Sequence, residues 1–287
     1  MKYQLFEHFK KELSCLNAFL LLLWGSVAHA QLSIQITQGV DNPIPIAIVP
    51  FQWTGRGLPP EDVREIVSQD LQQVGEFEPL SPRNMLALPN EESEVYYRDW
   101  SVLAQDYLLV GKVDYLADSG LIEVQYEFFD INRQQKLAGE LLTGRTSQLR
   151  DIGHEISNVV FEAVTGTRGA FTTQLLYIVA EFVSPELTYY RLEKSDYDGK
   201  RAQVLLESEE PIMSPNWAPE GLDIAYVSFE TGLPRIYIQN IVSGQRRQIT
   251  NFPNINSSPV FSPDGSKLAM VLSKDGSPDI YVQDLIS

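Results

Sequence analysis

The chain has 287 residues, 44% of them apolar, with 22 basic and 38 acidic side chains for a net charge of −16. So acidic a surface repels phosphate backbones, which argues against nucleic-acid binding and favours basic partners. The apolar share is enough for sizeable cores, and a single cysteine, Cys15, excludes a disulfide-stapled fold.

Residues 1–30 read as a secretory signal peptide. Lys2, Lys10 and Lys11 form a basic start, Ala18–Trp24 an apolar core, and Ala28-His29-Ala30 offers small residues at the cleavage positions. The apolar run is too short to span a bilayer. Cleavage after Ala30 would take Cys15 with it and leave 19 basic against 36 acidic residues. Cys15 precedes the apolar core and does not fit a lipid-attachment site. Nothing later is long and apolar enough to predict a transmembrane segment.

Gln31-Leu32-Ser33-Ile34-Gln35-Ile36-Thr37 alternates apolar and polar side chains and predicts a strand, followed by a turn-rich break at Gly39–Pro45. Such a strand can pair with its own sheet or with the edge of another chain. Ile44–Phe51 is a continuous apolar run, expected to be covered on both faces. Thr54-Gly-Arg-Gly57 lacks the spacing of a phosphate-binding loop. Pro59-Pro60-Glu61-Asp62 opens a helix whose stripe is Val63, Ile66, Val67 and Leu71, closed by Gly75. Phe77–Leu80 predicts a strand, Ser81–Leu88 a brief helix, and Trp100–Gln105 another.

Three strands are expected at 107–113, 121–130 and 137–145. The middle one alternates Ile122, Val124, Tyr126 and Phe128 with Glu123, Gln125 and Glu127, as a half-exposed antiparallel strand does. Leu149–Val164 predicts a helix with Ile152, Ile156, Val159, Val160 and Ala163 on one face. Gly166–Gly169 marks a boundary.

From Phe171 onward only strands and turns are expected. Ser214–Ser228 recurs as Ser258–Leu272 at an offset of 44 residues, and the match persists to Tyr237/Tyr281. A period of about 40–45 indicates one four-stranded propeller blade per repeat. In Ser262-Pro-Asp-Gly265 the proline presets φ, the aspartate can bond nearby backbone, and the glycine accepts a positive φ. Tyr177–Val179, Tyr189–Leu192 and Val204–Leu206 outline a more divergent blade. Asp196-x-Asp198-Gly199 fits a hairpin turn better than a calcium loop, whose glycine falls at the sixth position.

The expected fold is therefore an α/β N-terminal domain (31–168) followed by an incomplete all-β propeller (169–287), with repeats near 171–213, 214–257 and 258–287. No catalytic set, metal centre or cofactor site is predicted. His154 is the one histidine after residue 30, and Asn158 stands where a zinc-protease motif needs a second. It reads as a surface or partly buried helical residue. There is no nucleophile elbow.

Several pieces, in order, resemble the TolB family: Gly39-Val-Asp41, Ile48–Trp53, Phe161-Glu162 with Thr165-Gly166, Gly169–Phe171, Ser195–Gly199, Pro211–Pro215 and Phe261–Ala269. The resemblance implies a non-enzymatic periplasmic adaptor of the Tol-Pal system. It implies a six-bladed propeller, of which two to three blades are present, and a role in outer-membrane integrity and envelope constriction at division. It further implies that Gln31–Thr37 contacts the inner-membrane protein TolA. The loop Pro253-Asn254-Ile255-Asn256-Ser257 would contribute to a surface facing the lipoprotein Pal, with Ile255 where the family usually has histidine. The Ser-Pro-Asp-Gly repeat is shared with peptidase propellers, so the alternative is the propeller portion of an exported serine hydrolase.

Overall fold

The computed structural model describes residues 42–286. The signal sequence expected at 1–30 and the segment Gln31–Thr37 lie outside the described residues. Among the described residues, no helix is long and apolar enough to cross a membrane.

The first part is a six-stranded mixed sheet. Strand β1 (Ile44–Ile48) lies between β3 (Phe77–Pro79) and β4 (Tyr107–Leu116), parallel to both. The short β2 (Gln52–Trp53) runs parallel to β4 further along. Strands β4, β5 (Leu121–Asp130) and β6 (Gln135–Arg145) form an antiparallel meander. The apolar run of β1 is covered on both faces, as expected. Ile46 and Ile48 join one core with Val63, Val67, Leu71, Ile156 and Val160. Ala47 and Val49 join a second core with Trp100, Leu108, Val110, Phe129 and Ile131.

Helix α1 (Val63–Val74) starts where the sequence indicates. The Asp62 carboxylate accepts the Glu65 N–H at 3.3 Å, and Gly75 ends the helix at φ 80°. All four predicted stripe residues are buried, each worth about 2 kcal/mol of burial free energy. The helix predicted at 81–88 is absent. Only a 3-10 turn forms at Pro82–Asn84, without a side-chain cap from Ser81, and Pro89 closes off any continuation. The next helix, α2 (Tyr97–Val102), begins three residues earlier than expected, which puts Trp100 at its centre and fully against the sheet.

Strand β5 alternates only in its first half. From Tyr126 to Asp130 every residue is buried, including Glu127, whose carboxylate accepts the Glu92 N–H at 2.6 Å and an N–H of Lys136 at 2.5 Å. A loop from the 90s thus covers the face that the alternation left open. Gly55, in the glycine loop after β2, has a packing role. A Cβ there would meet the Trp53 ring at 2.1 Å.

Helix α3 (Leu149–Thr165) packs beside α1, so closely that a Cβ on Gly153 would touch Ile66 at 2.9 Å. Its predicted apolar arc is only partly right. Ile156 and Val160 are fully buried, but Ala163 is exposed, whereas the polar residues Arg150, His154, Ser157 and Asn158 are buried.

Residues 174–284 form three antiparallel sheets. The first holds β7 (Gln174–Ser184), β8 (Leu187–Asp196) and β9 (Gln203–Ser208). The second holds β10 (Ile212–Trp217), β11 (Asp223–Ser228), β12 (Arg235–Asn240) and β13 (Arg246–Gln248). The third holds β14 (Asn256–Phe261), β15 (Lys267–Leu272) and β16 (Asp279–Asp284). Strands β14–β16 sit at 44 residues from β10–β12, so the sequence repeat is a structural repeat. Adjacent sheets pack face to face. Leu192, Ile212, Ile224 and Tyr226 join the first two, and Ile236 and Ile238 meet Leu268, Met270 and Leu272 between the second and third.

The structure also explains the serine that starts each copy. Ser214 and Ser258 have φ of 51° and 53° and sit at bulges in β10 and β14. The proline that follows each lacks an N–H, which suits a break in the ladder.

The turn at Ser262–Gly265 closes with the Gly265 N–H on the Ser262 carbonyl at 2.9 Å. The Ser262 hydroxyl, then the Ser266 N–H and hydroxyl, hold the Asp264 carboxyl down to a pKa of about 2. A depressed carboxyl stabilises the fold above its unfolded value and loses that contribution as pH falls through the folded one. Proton titration followed by NMR is therefore expected to show the turn amides of Asp264–Ser266 shifting mainly below pH 3. In Asp264→Asn that shift should vanish, and a wild-type midpoint near 4 would contradict the turn geometry.

Candidate partner surface and the junction beside it

Antiparallel meanders place their connections alternately at two ends. Strands alternate in direction within each sheet, β9 passes to β10 through the short connection 209–211, and the Phe261 N–H at the end of β14 donates to the Asn216 side chain near the end of β10 at 3.0 Å. One end therefore carries the turns at 197–202, 218–222, 241–245 and 262–266. The other carries the β7–β8 turn at 185–186, the turns at 229–234 and 273–278, and the connection from β13 to β14.

That last connection contains the predicted Pal-facing loop. Pro253, Asn254 and Ile255 are exposed there, and so is Phe252 just before them. Asn256 is not part of the surface. It is fully buried, and its Nδ2 donates to the carbonyls of Phe252 and Asn254 at 2.8 and 3.1 Å. Ser257 is half-buried. Ile255 is pinned by its N–H to Ser273 Oγ at 2.9 Å, and Asn254 takes a left-handed φ of 63°. Arg235 donates to the Phe252 carbonyl at 2.7 Å, and the Lys274 ammonium lies 5.4 Å from the Phe252 ring. The loop is thus a shaped apolar tip held from below by Asn256 and Ser273. Phe182 and Val183, beside the β7–β8 turn, are exposed at the same end. Phe252, just outside the five residues singled out in the sequence, shares this exposed tip.

At the opposite end the first blade meets the α/β part. Asp70 of α1, 1% exposed, accepts from Ser157 Oγ at 2.6 Å and from the Tyr197 hydroxyl at 2.6 Å, and pairs with His154 Nδ1 at 2.8 Å. His154, expected at the surface or partly buried, is thus fully buried in a network. Its ring meets Tyr197 edge-on at 5.4 Å. Burial first, then the Asp70 carboxylate, raises the Tyr197 pKa, so the phenol stays a donor. Arg150 of α3, buried, donates to Asp196 at 3.3 Å and to Asp198, with Glu61 at 3.6 Å. Arg201 adds pairs to Asp196 and Asp151.

Ser157 donates to Asp70 and not to His154, so the three do not make a nucleophile–base relay. One ligand atom from each of His154, Asp196 and Asp198 lies within 4.8 Å of the others, a spacing a cation could use. Arg150 pairs with both carboxylates and Arg201 with Asp196, two cations for two anions, so the cluster reads as an ion-paired junction.

Residues 32–137 match the TolB amino-terminal domain, and residues 161–287 match the TolB beta propeller domain. The chain belongs to the TolB family. Over 232 residues it is 48% identical to the Tol-Pal system protein TolB of Pseudomonas syringae pv. tomato, covering 81% of this chain and 53% of that one. The Pseudomonas aeruginosa protein of the same name is 47% identical over 240 residues, 84% of this chain and 55% of the other. The chain thus spans about half the length of the curated TolB relatives it matches. The crystal structure of TolB from Acinetobacter baumannii superposes with a TM-score of 0.77 at 35% identity, covering 88% of this chain and 60% of that one. The expected class, a TolB α/β domain followed by propeller sheets, is the fold observed.

Proposed function

We propose that this chain is a non-enzymatic adaptor of the Tol-Pal envelope system, exported to the periplasm by residues 1–30. It has an N-terminal domain over 31–168 and propeller blades over 169–287. The segment Gln31–Thr37 engages TolA, and the end of the blades bearing Phe252–Ile255 engages Pal, so that the protein links inner membrane to peptidoglycan and supports outer-membrane integrity and constriction at division. One observation carries this reading. The α/β part attaches at one end of the blades, through Tyr197, Asp196 and Asp198, and the exposed apolar loop stands at the other. The exposed loop is thereby left free of the α/β part and open to a partner. The names of the relatives support the system, and an acidic surface suits basic partners.

Pull-down with purified partners tests both ends. Deleting Gln31–Gln38 is expected to abolish TolA capture while the melting curve stays the same. Ile255→Asp with Phe252→Asp is expected to weaken Pal capture by about tenfold or more, as loss of a central apolar contact does. Full TolA capture by the deletion variant would remove the first assignment, and full Pal capture by the double variant the second.

A further inference from the structure

We infer that Asp70 and Tyr197 form a polar latch that sets the orientation of the blades relative to the α/β domain. The apolar contribution at this junction is small. Among the described residues after α3, Phe171 of the connecting segment and Tyr197 of the first blade enter the N-terminal core. The side-chain bonds that tie the first blade down among the described residues are polar: the Tyr197 hydroxyl on Asp70, Arg150 on Asp196 and Asp198, and Asp151 and Asp196 on Arg201. The connecting segment itself is held to α3 by Asn158, whose Oδ1 accepts the Phe171 N–H at 3.1 Å and whose Nδ2 donates to Thr172 at 3.1 Å.

Asp70 is the point where three elements converge. Its donors are His154 and Ser157 from α3 and Tyr197 from the turn after β8. An unsatisfied buried carboxylate is costly, so each donor defends the arrangement. Only the Tyr197 bond crosses to the blades. Directional bonds of this kind fix an angle, which apolar packing over two side chains does not, and they can be lost without unfolding either side. The latch therefore assigns different consequences to two hydroxyls on one carboxylate. Losing the Ser157 hydroxyl loosens α3 against α1 within the domain, whereas losing the Tyr197 hydroxyl loosens the domain against the blades. This inference does not depend on which partners bind.

The test uses the full chain with Cys15→Ser, Asp118→Cys and Gln245→Cys, since no other cysteine is present. Spin labels at 118 and 245 sit at exposed turns of the two parts, and pulsed electron resonance reads the distance between them. The parent is expected to give one narrow distribution. Tyr197→Phe is expected to widen it roughly twofold or more, as a second orientation becomes populated. Ser157→Ala, which removes an equivalent bond on the same carboxylate, is expected to leave it narrow. Circular dichroism checks that both variants stay folded, and Asp70→Asn is expected to behave as Tyr197→Phe does. Equal widths for Tyr197→Phe and the parent, or equal broadening by Tyr197→Phe and Ser157→Ala, would overturn the latch. Neither outcome would bear on partner capture.

Discussion

Arg150→Ala is expected to destabilise the chain by about 3 kcal/mol, the low end of what breaking a buried ion pair costs. The Arg150 side chain is 7% exposed, and it faces Asp196 and Asp198, whose side chains are 8% and 11% exposed. Alanine would leave Asp198 without its guanidinium in a site that water reaches poorly. Asp196 keeps Arg201, which is why the larger figures for such deletions do not apply. Urea titration followed by near-ultraviolet circular dichroism measures the loss. Arg150→Lys should recover part of it, because an ammonium supplies charge but cannot bridge two carboxylates with a planar fork. A loss below about 1 kcal/mol would mean that the pairs behave as exposed ones do.

Trp100→Ala is expected to cost about 3–5 kcal/mol, the range for deleting a large buried aromatic. Trp100 is 1% exposed and packs with Ala47, Val49, Leu108, Val110, Phe129 and Ile131 on the sheet face opposite α1 and α3. Among the described residues that face is covered by α2, a helix of six residues, and by the loops around it. Neighbours on loops and a short helix can collapse only partly into the void, so the cavity term should be large. Trp100→Phe should cost less than half as much. Thermal unfolding reads both, and a change of under about 1 kcal/mol for alanine would show that the second face is already wet.

Much of the architecture was legible because its causes are local. The pair Asp62 and Gly75 bracket α1, and both act through bonds to residues three positions away. The 44-residue repeat was visible because each copy needs the same bulge, turn and alternation. The errors have a common origin. The helix expected at 81–88 was read from Ser81-Pro82, a start signal whose serine makes no cap bond, and Leu86 and Leu88 beyond it stay exposed. Glu127 was expected to face solvent because alternation says nothing about a distant loop settling on that face. Asn256 was grouped with a contact loop because sequence order does not reveal that its amide turns inward.

The amino-acid order alone determined the two long helices, most of the strands, the repeat and the family, because periodicity and turn chemistry act over a few residues. Only the tertiary structure decided the role of Asp70, whose partners His154 and Tyr197 stand 84 and 127 residues away along the chain. Nothing local marks such a carboxylate. Its meaning comes from burial, which removes water and leaves only the donors that folding brings within reach.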